Sequence, residues 1–282
     1  MAMLLLMRLM QQVNELPVKP PVTLGLMGLQ GWLFMNPPPF LDRVSDVCMS
    51  AFSVIQMGEL YRIIAASLFH LDAYHLYYNM SSFLVKGVAL EQRLGSPLML
   101  AMTLGLLVAT NIIHLALSVA LDDWMTCSLG FSGVLFALKV IVTYDLQDPN
   151  QDAYFYGIRL PSKHLVWVEI AFIQMVMPQA SMLGHASGAL AGFGFLALRR
   201  LAPALLRWVP REAPRTYGSG FWGAPRQQRH QEPTYGNAAP PYGNAAPEPP
   251  RARPQPTAPS GASLSADELR RRRVDRYAQS AR

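Results

Sequence analysis

The stretch PLMLAMTLGLLVATNIIHLALSVA, residues 97–120, decides the fold class because its 24 residues include no charged side chain. A helix of about 20 mostly apolar residues is long enough to cross the hydrocarbon core of a bilayer. The 282-residue chain is 51% hydrophobic and 15% charged, whereas soluble domains carry about 25% charged residues. The composition therefore predicts a polytopic membrane protein. A total of two Cys excludes a disulfide-stapled scaffold or a Cys-rich zinc fold.

Five further apolar stretches accompany this one, so we expect an all-α bundle of six transmembrane helices. The six predicted spans cover residues 20–36, 73–92, 97–120, 126–144, 164–180 and 183–201. The opening MAMLLLMRLM is too short to span a bilayer and contains Arg8, which favours a membrane-surface segment over a signal anchor. The segment between the first two spans, residues 37–72, is amphipathic in part and is predicted to lie at the lumenal interface.

Basic residues are concentrated beyond the sixth span, which predicts both orientation and domain organisation. Residues 1–198 carry 9 Lys and Arg against 12 Asp and Glu, a net charge of −3, and residues 199–282 carry 15 Arg against 6 Asp and Glu, a net charge of +9. Because cytoplasmic segments are enriched in Lys and Arg, we expect both termini in the cytosol. The predicted domains are a six-helix membrane domain (1–204), a disordered Pro/Gly/Ala-rich linker (205–261) and a basic helix (262–282).

Four polar side chains in three different spans are predicted to lie at one depth, near the lumenal face. His75 and Asn79 share a face of span two, Ser132 lies in the first turns of span four, and His185 lies near the start of span six. Polar groups inside a membrane are costly, so this clustering indicates a site. We predict that Ser132 is a nucleophile with His185 as its general base. The Ser132 amide, Asn79 and His75 are candidate oxyanion donors, and without a carboxylate at this depth the prediction is a dyad.

Small residues in spans four and six predict that these helices approach closely. Gly184, Gly188 and Gly192 recur every four residues, and Gly133 and Ala137 form a matching face. Such an approach would bring the imidazole within hydrogen-bond reach of the hydroxyl.

Several other polar residues have interpretations that the sequence leaves open. His70 is either a loop anchor or a site residue, and Asn111 and His114 favour interhelical hydrogen bonds. Cys48 and Cys127 both fall on the predicted lumenal side. For these two we expect free thiols, with a disulfide as the alternative.

Lys139 offers an alternative to the histidine as the activating base. It follows Ser132 by seven residues, a separation of about 10 Å along a helix, so we expect its ammonium to reach toward the cytosolic interface instead. Glu169 is predicted to be paired or to extend toward that interface. No Cys or carboxylate accompanies His75 and His185 at their depth, so we expect no metal site. We also expect no cofactor and no nucleic-acid partner.

Three motifs, in order along the chain, carry a resemblance to a known family. They are HLDAYHLYYN at residues 70–79, GFSG at residues 130–133 and HASGALAG at residues 185–192. Together they resemble the rhomboid intramembrane serine proteases, and the resemblance covers roughly residues 20–203. Tyr61-Arg62 stands where that family usually has Trp-Arg.

The resemblance implies a six-span fold that hydrolyses peptide bonds within the membrane. It implies Ser132 and His185 as the catalytic dyad, with Asn79 and His75 as oxyanion residues. The residues with supporting roles would be Gly130, Gly133, Gly188, Gly192, His70 and Arg62.

The stretches GFSGVLFALKV (130–140), PPVTL (20–24) and WVE (167–169) resemble the endoplasmic-reticulum branch of that family. This implies a multi-pass protease of the endoplasmic reticulum membrane, with its site toward the lumen, that acts in the degradation of membrane proteins with unstable transmembrane helices. The alternative is a non-catalytic rhomboid-like adaptor that delivers such clients for extraction. No ubiquitin-interacting helix is evident.

The basic C-terminal run resembles the segment through which that branch binds the AAA ATPase valosin-containing protein. An anionic-lipid patch and a nuclear-import signal are the alternatives. The residues in question are Arg270, Arg271, Arg272, Arg273, Arg276 and Tyr277.

Overall fold

The computed structural model describes residues 2–202 and residue 204 and is mostly helical. The predicted linker and basic helix, including the arginine run, lie outside the described residues. In chain order, the α-helices of the described part are α1 Ala2–Glu15, α2 Pro21–Met35, α3 Val44–Val47, α4 Arg62–Leu68, α5 Ala73–Leu94, α6 Ser96–Ala120, α7 Ser132–Ile141, α8 Ser162–Val176 and α9 Met182–Leu201. A helix thus forms in each of the six predicted spans, as α2 and α5 to α9.

Whether each of these helices can cross a membrane depends on its length and its hydropathy. Within the described residues, α6 is the helix that is long and apolar enough to cross a membrane, and α2 is a shorter apolar helix. The count of six spans therefore stays a prediction.

The segment between α2 and α5 breaks into several short pieces. They are α3, a π-helical turn at Phe52–Gln56, and α4. At the N-terminus, α1 packs one face against α5. Leu5 on that face is buried, and Leu9 and Val13 contact the main apolar cluster.

A small β-hairpin corrects the all-α prediction. Strands β1 (Asp152–Phe155) and β2 (Ile158–Pro161) pair antiparallel just before α8. Between them, Tyr156 and Gly157 have φ of 47° and 84°, and positive φ at both turn positions suits the right-handed twist of a two-residue hairpin.

The core is built around α7. Every residue from Val134 to Ile141 is buried, because α5, α6 and α9 all pack against this helix. At its start, the Phe131 ring lies edge-on against Phe83 of α5 at 5.0 Å between centroids. A helix that is buried on all sides lies in the centre of a bundle, and this central position fixes that of Ser132.

The prediction that span four begins near residue 126 is wrong, because α7 begins at Ser132. Residues 124–131, which we call the approach segment, are extended or turned and contact the first loop. Met49 and Ser128 exchange two backbone hydrogen bonds of 2.9 and 2.8 Å. Cys48 and Cys127 form a disulfide, so the expectation of free thiols is also wrong.

Lys139, Glu169 and Lys86 are charged residues of the helical bundle that have polar partners. Lys139 of α7 is buried and forms an ion pair with Glu169 of α8, so its ammonium is directed to this carboxylate. Lys86 of α5 donates a hydrogen bond of 2.6 Å to Ser82. The ion pair ties α8 to the central helix, which fits the expectation of a paired Glu169.

Replacing Lys139 by Met is expected to lower the free energy of unfolding by about 1–3 kcal/mol, because the partly buried Glu169 carboxylate would lose its ion-pair partner. The double variant Lys139→Met/Glu169→Leu should recover part of this loss, since neither member of the ion pair is then left without its partner. Unfolding in detergent micelles measures both. Arg159→Met, which breaks an exposed ion pair with Asp152, serves as the control and should leave the unfolding midpoint almost unchanged. Equal losses in Lys139→Met and Arg159→Met would contradict the argument.

Candidate active site

The structure brings Ser132 and His185 together. The Nε2 atom of His185 lies 2.9 Å from the Oγ atom of Ser132. Ser132 is the first residue of α7 and His185 the fourth of α9, whose start is capped by the Ser181 hydroxyl accepting the Gly184 N–H at 3.0 Å. The Phe136 ring lies 4.9 Å from the His185 ring, centroid to centroid. A hydroxyl at this distance from an imidazole nitrogen is arranged for proton transfer.

The other imidazole nitrogen of His185 does not meet a carboxylate. Its Nδ1 atom is buried and has no hydrogen-bond partner among the described residues. In a triad an Asp or Glu accepts the hydrogen bond from this atom. The described part of the chain therefore presents a serine and a histidine without a third member.

Close contact between α7 and α9 fixes the serine–histidine distance. A Cβ placed on Gly188 would lie 1.9 Å from the Gly133 carbonyl oxygen, and one placed on Gly192 would lie 2.7 Å from the carbonyl oxygen of Ala137. No larger residue fits at either position without moving a backbone. These are the small faces that the sequence predicts.

Three groups are the candidate oxyanion donors. The Ser132 N–H lies in the first turn of α7, where N–H groups have no intrahelical acceptor. The His75 Nδ1 atom accepts the Leu71 N–H at 3.4 Å, which in a neutral ring places the proton on Nε2 and makes that atom a donor. Asn79 is buried and donates one amide hydrogen to the His75 carbonyl at 2.9 Å. Its second amide hydrogen stays available.

The backbone at Gly130 explains why the serine follows a glycine by two positions. Gly130 has φ of +111°, a conformation that side chains disfavour. A Cβ on it would lie 2.6 Å from the His75 Nε2 atom. Its N–H donates to the Ala66 carbonyl at 2.7 Å, so both the loop and the His75 ring pack against this residue.

His70 contacts the site through His75. The two rings meet edge to face with centroids 5.1 Å apart. Burial lowers the pKa of His70 to about 3, and the neighbouring His75 adds to this effect. His70 is therefore neutral at physiological pH and acts as a packing partner of His75.

Arg62 holds the first loop. It is buried and donates to the Cys48 and Ser45 carbonyls at 2.7 Å each, and it pairs with Glu59 at 2.7 Å. Its contacts are with the loop backbone rather than with the serine or histidine. Among the described residues, no cluster of three His, Cys, Asp or Glu side chains could hold a metal ion.

Sequence reasoning missed Phe136 and the Ala66 carbonyl. Phe136 follows Ser132 by four residues and so shares its helix face, a spacing that could have indicated the contact with His185. The contact of Gly130 with Ala66 has no sequence signal because it uses a backbone carbonyl, which every residue has.

Comparison with known proteins identifies the family. A family model described as Rhomboid domain matches residues 57–201, just over half of the chain. The chain belongs to the rhomboid family. As a rhomboid it is an integral membrane protein, and it is either an intramembrane protease or a pseudoprotease of that type. Ser132 and His185 both lie inside the matched domain.

Curated relatives of this rhomboid come from plants and animals. Rhomboid-like protein 14, mitochondrial, of Arabidopsis thaliana is 32% identical over 207 residues, 70% of this chain and 61% of the relative. Rhomboid-related protein 4 of Homo sapiens is 36% identical over 180 residues, 61% of this chain and 56% of the relative. Rhomboid-like protein 15 of Arabidopsis thaliana is 30% identical over 163 residues, which are 55% of this chain and 40% of the relative. The chain thus spans less than two thirds of the length of these relatives.

Proposed function

We propose that this rhomboid is an active intramembrane serine endopeptidase that cuts transmembrane segments near the lumenal leaflet of the endoplasmic reticulum. The observation that carries the proposal is the 2.9 Å contact between Ser132 Oγ and His185 Nε2. An adaptor would have no need to keep a serine and a histidine in this arrangement.

In the proposed reaction, Ser132 Oγ attacks the scissile carbonyl carbon while His185 Nε2 takes the hydroxyl proton. The negative oxygen that forms is stabilised by the Ser132 N–H, Asn79 and His75. His185 then protonates the leaving amine, which departs with one part of the substrate. Water, deprotonated by His185, releases the other part from the acyl-serine.

The proposed topology has six spans with both termini in the cytosol and the site toward the lumen. Two independent observations support it: the excess of Arg beyond residue 198 follows the positive-inside rule, and the Cys48–Cys127 disulfide fits an oxidising compartment on the side of the site. Tagged protein that fractionates with mitochondria would overturn the organelle assignment.

The substrates we propose are membrane proteins whose transmembrane helix unwinds easily, because an intact helix shields its peptide bonds. Residues 269–282, through Arg270 to Arg273, Arg276 and Tyr277, would pass the products to a cytosolic AAA ATPase for degradation. The second candidate function is an adaptor that uses this tail without cleavage.

The test is cleavage of a purified type I transmembrane substrate in liposomes that contain the full-length protein. We expect two fragments whose masses place the cut inside the transmembrane segment, and none with Ser132→Ala. The variant lacking residues 269–282 should still cleave. If no fragment forms, and client turnover in cells depends on residues 269–282 but not on Ser132, the chain is an adaptor.

Asn79→Ala is expected to lower kcat by about 10²–10³-fold, the usual loss on removal of one oxyanion donor. KM should change little, because the donor acts on charge that develops in the transition state. Steady-state cleavage in the same liposomes measures both constants. Gln30→Ala is the control for loss of a buried amide, since the buried Gln30 of α2 likewise donates to the carbonyl four residues earlier, that of Leu26. A loss that appears only in KM would remove Asn79 from the oxyanion site.

A further inference from the structure

The approach segment is joined to the first loop by three contacts near Cys127. The backbone bridge links Met49 with Ser128, and the Phe52 N–H donates to the Trp124 carbonyl at 2.9 Å. The third contact is the Cys48–Cys127 disulfide. Only four residues, 128–131, separate Cys127 from the nucleophile, so the position of Cys127 constrains where α7 begins.

The same segment is held at its other end by α4. Gly130 donates its N–H to the Ala66 carbonyl of α4 at 2.7 Å. The opposite end of α4 carries Arg62, which donates to the Cys48 carbonyl at 2.7 Å. Helix α4 is itself anchored to the bundle by Asn111 of α6. One short helix therefore contacts both the Cys48 side of the disulfide and Gly130, two residues before the nucleophile.

The disulfide is accessible, whereas several of the residues around it are buried. Cys127 is exposed and Cys48 half-buried, whereas Met49, Arg62 and Ala66 are buried. An attacking thiolate must reach a sulfur atom, and exposed disulfides are the labile ones. Of the contacts that hold the approach segment, this is the one that a thiol can open and an oxidant can close.

We propose that Cys48 and Cys127 are positioning residues for Ser132 and that reduction of their disulfide lowers kcat. A dithiol supplies two electrons and two protons: the S–S bond breaks, two cysteine thiols form, and the dithiol becomes a disulfide. Backbone hydrogen bonds alone then hold the approach segment, and the alignment of the Ser132 hydroxyl with His185 becomes less well fixed. The measurement of kcat that tests this proposal rests on the proposed protease function.

The experiment compares kcat and KM for the oxidised wild type, Cys48→Ser, Cys127→Ser and the double variant in liposomes. We expect kcat to fall by about 10- to 100-fold, the effect of a small misplacement of a reacting group, with KM within about twofold. The three variants should have the same kcat, because each removes the same bond. Dithiothreitol should lower the wild-type kcat to this value, reoxidation should restore it, and the double variant should not respond.

Two controls separate positioning from folding. Thr126→Ala changes the exposed neighbour of Cys127 and should leave kcat unchanged. Thermal unfolding checks that each variant is folded at the assay temperature, and the rate at which a fluorophosphonate labels Ser132 reports on the nucleophile without a substrate. If the disulfide only stabilised the fold, its removal would lower the unfolding temperature and leave this labelling rate unaltered.

The proposal is overturned if fully reduced wild type, with two thiols counted by alkylation and mass spectrometry, keeps its kcat and labelling rate. If the oxidised protein shows no cleavage at all, the proposed function fails first. Amide hydrogen exchange of residues 128–132 then still tests whether the disulfide positions Ser132. We expect faster exchange after reduction, and unchanged exchange would contradict the proposal.

Discussion

The His185→Ala variant is expected to lose about 10⁴-fold or more in kcat, and the Ser132→Ala/His185→Ala double variant should be no slower than either single variant. Nucleophile and base act as one unit, so removing either removes the whole contribution. The 2.9 Å contact between Ser132 Oγ and His185 Nε2 is the structural reason to expect this. The residual rate should come from substrate binding and the oxyanion donors alone.

The measurement is single-turnover cleavage in liposomes, which separates chemistry from substrate binding and product release. His164→Ala is the matched control, because His164 is an exposed histidine of α8, and its kcat should equal that of the wild type. Additive losses in the double variant would mean that the two residues act independently. The assignment of His185 as the general base of Ser132 would then have to be abandoned.

Helix positions and the serine–histidine contact could be predicted because both leave periodic signals in the sequence. Apolar runs of about 20 residues mark helices whatever their neighbours. Gly184, Gly188 and Gly192 at intervals of four indicated one flat face, and Gly133 with Ala137 indicated its partner. The motif resemblance added the pairing of spans that periodicity alone does not give.

The loops could not be predicted in the same way, because their structure depends on contacts distant in sequence. The start of α7 is set by pairing between Met49 and Ser128 and by the Cys48–Cys127 disulfide, partners about 79 residues apart. Apolar composition continues through residues 129–131, so no change in hydropathy marks the boundary. Gly130 was the available signal, since its positive φ ends the extended segment.

The β-hairpin had a local sequence signal, which a search for long apolar stretches does not detect. Gly157, a residue typical of turns, lies between two four-residue segments that each contain two aromatic or aliphatic residues. The hairpin lies in a connection between two predicted spans, where hydropathy carries little information. The ion pair of Lys139 with Glu169 was equally hidden, because it depends on how α8 packs against α7.

The Gly188→Ala variant is expected to lose at least about 100-fold in kcat and to unfold at a lower temperature. Its new methyl group would lie 1.9 Å from the Gly133 carbonyl oxygen, a backbone atom that cannot rotate away. Helices α7 and α9 would have to separate, and because Ser132 and His185 sit on these two helices, their hydrogen bond would lengthen. A shift of about 1 Å in a reacting group costs about 10²-fold in rate.

Gly194→Ala on the same helix makes the comparison decisive, because a Cβ on Gly194 has no atom within 4 Å. Alanine favours helix over glycine by about 0.5–1 kcal/mol, so Gly194→Ala should match or exceed the wild type in unfolding temperature and should keep its kcat. The two variants carry the same chemical change at positions six residues apart and are predicted to move stability in opposite directions. If both behave alike, helix propensity rather than the α7–α9 contact governs this helix. The close approach would then not be what sets the serine–histidine distance.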